Sequence, residues 1–100
     1  MSLEDFRHYS LETHGYKVLK LPGLKRYYQC HVRDGLYTVG EALLDCVSML
    51  WFDDIQALEK MVASSQYKEI VEPDFQNFVT LRYIHTLVTD ERWIIGPESR

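Results

Sequence analysis

Leu3, Phe6, Ser10, His14 and Val18 follow one another at three- and four-residue intervals along the first twenty residues. That stripe predicts an amphipathic helix. Ser2 is placed to cap it, with Asp5 three positions on in a capping-box arrangement, and the helix is expected to run to about Lys20. Leu21-Pro22-Gly23 ends it, because proline cannot continue a helix and glycine opens the turn. The pattern then changes period. Leu24 to Val32 alternates, with Tyr27, Gln29 and His31 on one face and Arg26, Tyr28, Cys30 and Val32 on the other, and so predicts a strand. A loop with Asp34-Gly35 and Gly40 follows. Cys46 to Phe52 is nearly continuous apolar sequence, as expected of a strand covered on both faces.

Asp53 is expected to cap a second helix, with Gln56 three positions on and Ile55, Leu58, Met61 and Val62 facing inward. Beyond Ser64-Ser65 a short helical stretch leads to Pro73, and Asp74 to Val79 predicts a further helical turn. Leu81 to Ile95 alternates on either side of Thr89-Asp90 and reads as one bulged strand or two short ones. Gly96-Pro97 ends the fold, leaving residues 96–100 as an expected flexible tail.

The predicted order is helix, strand, strand, helix, strand. A ferredoxin-like unit runs β-α-β-β-α-β, so the expected fold is α+β: an antiparallel sheet with two main helices on one face, lacking the usual first strand. With 100 residues the chain is expected to form a single domain. A domain of this size buries a thin core, which association with a second copy would enlarge. The net charge of −4 argues against a nucleic-acid footprint, and the local basic stretch Lys17, Lys20, Lys25 and Arg26 reads as a solvated helix end. No apolar run approaches a membrane span and no signal-peptide core is visible. The two cysteines, Cys30 and Cys46, make neither a disulfide framework nor a metal-binding spacing. A cytoplasmic protein with reduced thiols is expected.

Six strings, in order along the chain, resemble the EthD-like family of dimeric α+β-barrel proteins: Met1-Ser2-Leu3-Glu4-Asp5-Phe6; His14-Gly15; Leu21-Pro22-Gly23-Leu24-Lys25-Arg26-Tyr27; Leu50-Trp51-Phe52-Asp53; Ser65 to Lys68 with Glu72-Pro73-Asp74 and Phe78; and Leu87 to Glu91. The resemblance implies a homodimer with sheets packed face to face and a pocket between helices and sheet in each protomer. It implies decarboxylation, dehydration, isomerisation or cyclisation of aromatic or polyketide-like metabolites without metal or cofactor, or an accessory role without chemistry. The chain departs from the family pattern in four respects. A strand ending in Pro-Gly-Met-Ser is expected just ahead of the first helix, which would make this chain a shortened member. Tyr16 stands where the family has proline, Ser10 where an aromatic is common, and Met49 where glutamate is frequent.

His14 is the leading candidate for chemistry. A neutral imidazole with a pKa of about 6.5 gives or takes a proton at neutral pH, and the resemblance implies that role. The competing reading is a core histidine bonded to a carbonyl. Tyr27 is its expected partner, a phenol able to donate to a carbonyl oxygen or a developing enolate. Trp51, Phe52 and Phe78, with Phe75 and Trp93, are an aromatic set suited to walling a flat ligand. His31, on the Tyr27 face, and Arg82, a possible carboxylate clamp, complete the expected substrate-binding group. The leading function is therefore a cofactor-independent lyase or isomerase, and the alternative is an inactive dimeric accessory or small-hydrophobe-binding protein.

Overall fold

A computed structural model describes residues 1–33 and 44–96; the expected Asp34–Gly40 loop and all but the first residue of the expected tail lie outside them. Helix α1 covers residues 3–18 and is not uniform. It starts as an α-helix (Leu3–His8), widens into π-turns (Tyr9–His14) and closes as α-helix (Gly15–Val18). Ser2 caps it as the sequence predicts: its hydroxyl accepts the Asp5 backbone N–H at 3.0 Å. At Gly23 the chain turns with φ of 76°, a left-handed conformation that favours glycine.

Strands β1 (Arg26–His31) and β2 (Cys46–Trp51) pair antiparallel, with Arg26 opposite Trp51 and His31 opposite Cys46. Paired residues share a face, so Tyr27, Gln29, His31, Cys46, Ser48 and Leu50 form the inner face and Arg26, Tyr28, Cys30, Val47, Met49 and Trp51 the outer one. Helix α2 (Ile55–Ala63) follows, then a third helix, α3, whose π-helical Gln66–Val71 passes into Glu72–Asp74 and the 3-10 turn Phe75–Asn77. The core is small. Val18, Leu21, Met61 and Val71 are fully buried, with Leu24, Tyr27, Leu50, Phe52, Leu58, Tyr67 and Phe75 packed against them, so the helices cover only the inner face.

Three expectations are corrected. Asp54, not Asp53, caps α2: its carboxylate accepts the Ala57 N–H at 2.8 Å from an extended backbone (φ −158°, ψ 177°), whereas Asp53 ion-pairs with Lys25 at the surface. Ile55 and Val62 point outward, and the inward stripe of α2 reduces to Leu58 and Met61. The last strand does not form. Leu81–Tyr83 is a 3-10 turn, and residues 84–96 carry no helix or strand. Among the described residues, the backbone of residues 85–95 joins no other segment, and β2 has no partner on the side away from β1. Alternation alone does not create a strand: the open side of β2 is left unladdered by this segment among the described residues. The observed fold is a small α+β unit with a two-stranded antiparallel sheet, compatible with a ferredoxin-like plan.

Candidate functional site

Asp74, in α3, is the most enclosed polar residue among the described residues, 2% exposed. Four donors meet its carboxylate. Oδ1 accepts from the Tyr9 hydroxyl at 2.6 Å, Lys17 Nζ at 2.9 Å and Asn77 Nδ2 at 2.9 Å; Oδ2 faces His14 Nδ1 at 2.8 Å. The geometry of α1 makes this convergence possible. Tyr9 and His14 are five residues apart, which an ordinary α-helix would separate by roughly 140° around its axis at 3.6 residues per turn. The π-turns, closed by the Gly15 N–H on the Ser10 carbonyl, bring position 14 round towards the side of position 9. π-bulges of this kind recur at functional sites.

Burial alone would push the Asp74 carboxyl up, but the hydrogen bonds from Tyr9, Lys17, Asn77 and His14 outweigh it and hold the group well below the ordinary carboxylate range. Asp74 is therefore ionised at neutral pH. An ionised carboxylate only accepts, which assigns the His14 proton to Nδ1 and the free lone pair to Nε2. Burial lowers the His14 pKa more than the contact with Asp74 raises it, and Lys17 lowers it further, so the ring is neutral at pH 7. The ring packs against both Phe75 and Phe78, with centroids 4.6 and 4.7 Å away. A neutral, oriented imidazole with a carboxylate behind it can accept a proton at Nε2, and the adjacent anion steadies the imidazolium that results.

A second polar cluster sits on the inner sheet face. Gln29 uses its whole side chain: Nε2 donates to the Ser10 carbonyl at 2.8 Å and to the Tyr27 hydroxyl at 2.5 Å, while Oε1 accepts from Ser10 Oγ at 2.9 Å and His31 Nε2 at 2.8 Å. His31 is thus held in its Nε2–H form. Its Nδ1 is buried without a hydrogen-bond partner, and burial, aided by Arg7, lowers its pKa. Burial likewise raises the Tyr27 phenol.

The expected site residues are thereby sorted. No hydrogen bond joins His14 to Tyr27 among the described residues; the first belongs to the Asp74 cluster and the second to the Gln29 cluster. Phe78 lies against His14 and against Phe6, and Phe6 meets the edge of the His31 ring at 6.2 Å, so an aromatic file runs from one histidine to the other. Three of the expected ligand-binding residues stand apart from it. Phe52 packs in the core beside Gly23. Trp51 is on the outer face under the Arg26 guanidinium and donates its indole N–H to Glu91; it lines a cleft of about 370 Å3 together with Phe52 and Trp93, so three of the expected aromatic set do meet there. Arg82 is exposed and rests on the ring of Tyr83. Sequence reasoning missed Asp74, Tyr9, Lys17 and Gln29. The available signal was the trio Tyr9, His14 and Lys17 on one helix, which only a wider turn lines up.

Among the described residues no group of three or more His, Cys, Asp or Glu side chains is placed to hold a metal ion, and no helix is long and apolar enough to cross a membrane. A family model described as the EthD domain matches residues 1–82. No curated protein and no solved structure matches the chain.

Proposed function

Because the chain belongs to the EthD family and carries an ionised aspartate behind a buried histidine, we propose that it is a small cofactor-independent acid–base enzyme of the lyase or isomerase type, acting on an aromatic or polyketide-like metabolite. The observation that carries this reading is the 2.8 Å contact between Asp74 Oδ2 and His14 Nδ1. It fixes the tautomer, turns Nε2 into the base and compensates the positive charge formed when that base takes a proton. In a dehydration, Nε2 removes a proton from the carbon beside a carbonyl and returns one to the departing hydroxyl, so that water leaves. Phe75 and Phe78 exclude bulk water from the ring, and Tyr27 is the phenol that polarises a substrate oxygen.

The same reading takes the working form as a homodimer joined through the outer sheet face. Tyr28, Val47 and Met49 are each 39–45% exposed there, a face apolar enough to pack against its equivalent. A non-catalytic, small-hydrophobe-binding role is the second reading, favoured by the deep burial of His14, which is 5% exposed.

The test is turnover of a panel of aromatic and polyketide-like β-keto acids and β-hydroxy ketones, followed by mass spectrometry for loss of carbon dioxide or water. His14→Ala and Asp74→Asn are each expected to reduce turnover by about 10²–10⁴-fold. Turnover unchanged by His14→Ala would overturn the catalytic reading, and saturable binding with no turnover of any compound would favour the second.

A further inference from the structure

The imidazole that Asp74 orients is closed in. His14 is buried, with the rings of Phe75 and Phe78 against it. A base has to meet its substrate, so part of this cover must move. The two rings are held differently. Phe75 follows Asp74 directly and packs on the core of Val18, Leu21, Met61 and Val71. Phe78 lies past the end of the 3-10 turn, with φ −142° and ψ −3°, and its ring meets those of Phe6, Tyr9, His14 and Phe75. The N–H groups of Phe78 and Val79 both return to the Phe75 carbonyl, at 3.2 and 3.0 Å. Beyond them Thr80 is exposed and extended, and residues 84–96 carry no helix or strand. The turn is firmly anchored at Asp74 and Phe75 and lightly anchored after Phe78.

Asn77 fastens the light end. Its side-chain amide donates to Asp74 Oδ1 at 2.9 Å, and of the four residues that meet this carboxylate it is the exposed one. When Asn77 lets go, water can take its place on the amide, while Asp74 keeps Tyr9, Lys17 and His14. Release therefore breaks one hydrogen bond without leaving a buried charge unpaired.

We propose that Phe75–Phe78 forms a lid over His14, hinged at Phe75 and latched by Asn77 on Asp74, and that Asn77 and Phe78 swing out together to admit a substrate to Nε2. Closed, Phe78 seats on the Phe6 and Tyr9 rings of α1 and keeps water from the imidazole. The lid rests on the reading of His14 as a base and supplies the movement that reading requires.

The experiment treats the full chain with diethyl pyrocarbonate, which carbethoxylates unprotonated imidazole nitrogens, and follows each histidine by peptide mass spectrometry. His8 and His85 are exposed and serve as references. His14 is expected to react more slowly than either, at a rate that stays level in urea well below the unfolding midpoint, because lifting one turn exposes little surface. Asn77→Ala should speed His14 by about 10-fold, as loss of one hydrogen bond to a charged acceptor implies, and leave the references unchanged. Phe78→Ala should speed it too. Asp54→Ala, which weakens the cap of α2, should leave the His14 rate as it is. A parent His14 as fast as His8, a His14 rate that follows global unfolding in urea, no gain in Asn77→Ala, or an equal gain in Asp54→Ala would each overturn the lid. If Asn77→Ala does not fold, the urea profile of the parent chain decides it. A lid that opens in a chain that turns over no compound would end the catalytic reading alone, and turnover by a chain whose His14 opens only on global unfolding would end the lid alone.

Discussion

At the scale of residues, the Asp74 cluster makes opposite predictions for two neighbours of one histidine. The Asp74 carboxylate raises the His14 pKa and the Lys17 ammonium lowers it. Asp74→Asn is therefore expected to lower the His14 pKa, and Lys17→Met to raise it; both follow from a titration of the His14 ring signals by NMR. Movement of both in the same direction would contradict the assigned contacts. Removing the carboxylate altogether is costly, because Tyr9, Lys17, Asn77 and His14 lose a shared acceptor in a buried place. Asp74→Ala is expected to destabilise the fold by about 3 kcal/mol, read as a lowered urea midpoint.

The same two groups set the response to acid. His14 has a folded pKa below its unfolded value of about 6.5, so acidification below about 6.5 protonates the unfolded chain first and draws the equilibrium towards it. Asp74 has a folded pKa below its unfolded value of about 3.9, so its contribution is complete above that value and is lost as pH falls towards the folded one. Stability should therefore fall in two stages on acidification; His31, whose pKa burial also lowers, adds to the first, so His14→Gln should weaken that stage and the double variant with His31→Gln should remove it. A stability that rises between pH 7 and 5 would mean that pairing with Asp74 outweighs burial at His14, against the assigned direction. The sequence exposed His14 as a candidate because it lies on an apolar stripe. It did not expose Asp74, which lies 60 residues away and reaches His14 only through tertiary packing.

At the scale of elements, local chemistry was legible where one residue decides. Ser2 caps α1, Leu21-Pro22-Gly23 turns the chain, and the alternation of β1 divides its two faces as expected. It was less legible where two adjacent residues compete. Asp53 and Asp54 both suit a helix start, and only the extended backbone at Asp54 lets its carboxylate reach the Ala57 N–H. Asp54→Ala is expected to cost about 1 kcal/mol, while Asp53→Ala, at an exposed ion pair with Lys25, should change stability by less than about 0.5 kcal/mol; thermal or urea unfolding of the two variants checks this. The π-turns of α1 were not legible at all. Residues Phe6, Ser10, His14 and Val18 recur every four positions, which in a regular α-helix drifts by roughly 40° per step. The wider turns correct that drift, and the price of the correction is a helix whose local hydrogen bonding follows the site it builds.

At the scale of the whole molecule, the EthD assignment and the α+β class were readable from strings spread along the chain, whereas the number of strands was not. Leu81 to Ile95 has the alternation of a strand and is left without one, because pairing with an edge is a tertiary outcome that no local pattern encodes. The proposed pairing of two copies through the outer face makes a direct prediction: light scattering should give twice the chain mass, and Val47→Lys, which places a charge in the middle of that face, should return the mass of one chain without loss of helix signal. A parent chain that runs as a monomer at all concentrations would dismiss that pairing.

The side of β2 away from β1, unpartnered among the described residues, has one more consequence. Its row of amide and carbonyl groups belongs to an apolar segment, and Leu87, Val88, Ile94 and Ile95, in the unladdered stretch beyond it, are 69–98% exposed. Such a row is a template on which a stretch from another molecule can add, and each addition regenerates a template. At high concentration or on warming, the chain should grow slowly into cross-β fibrils that bind thioflavin T, by a route that a proline within Val47–Leu50 blocks.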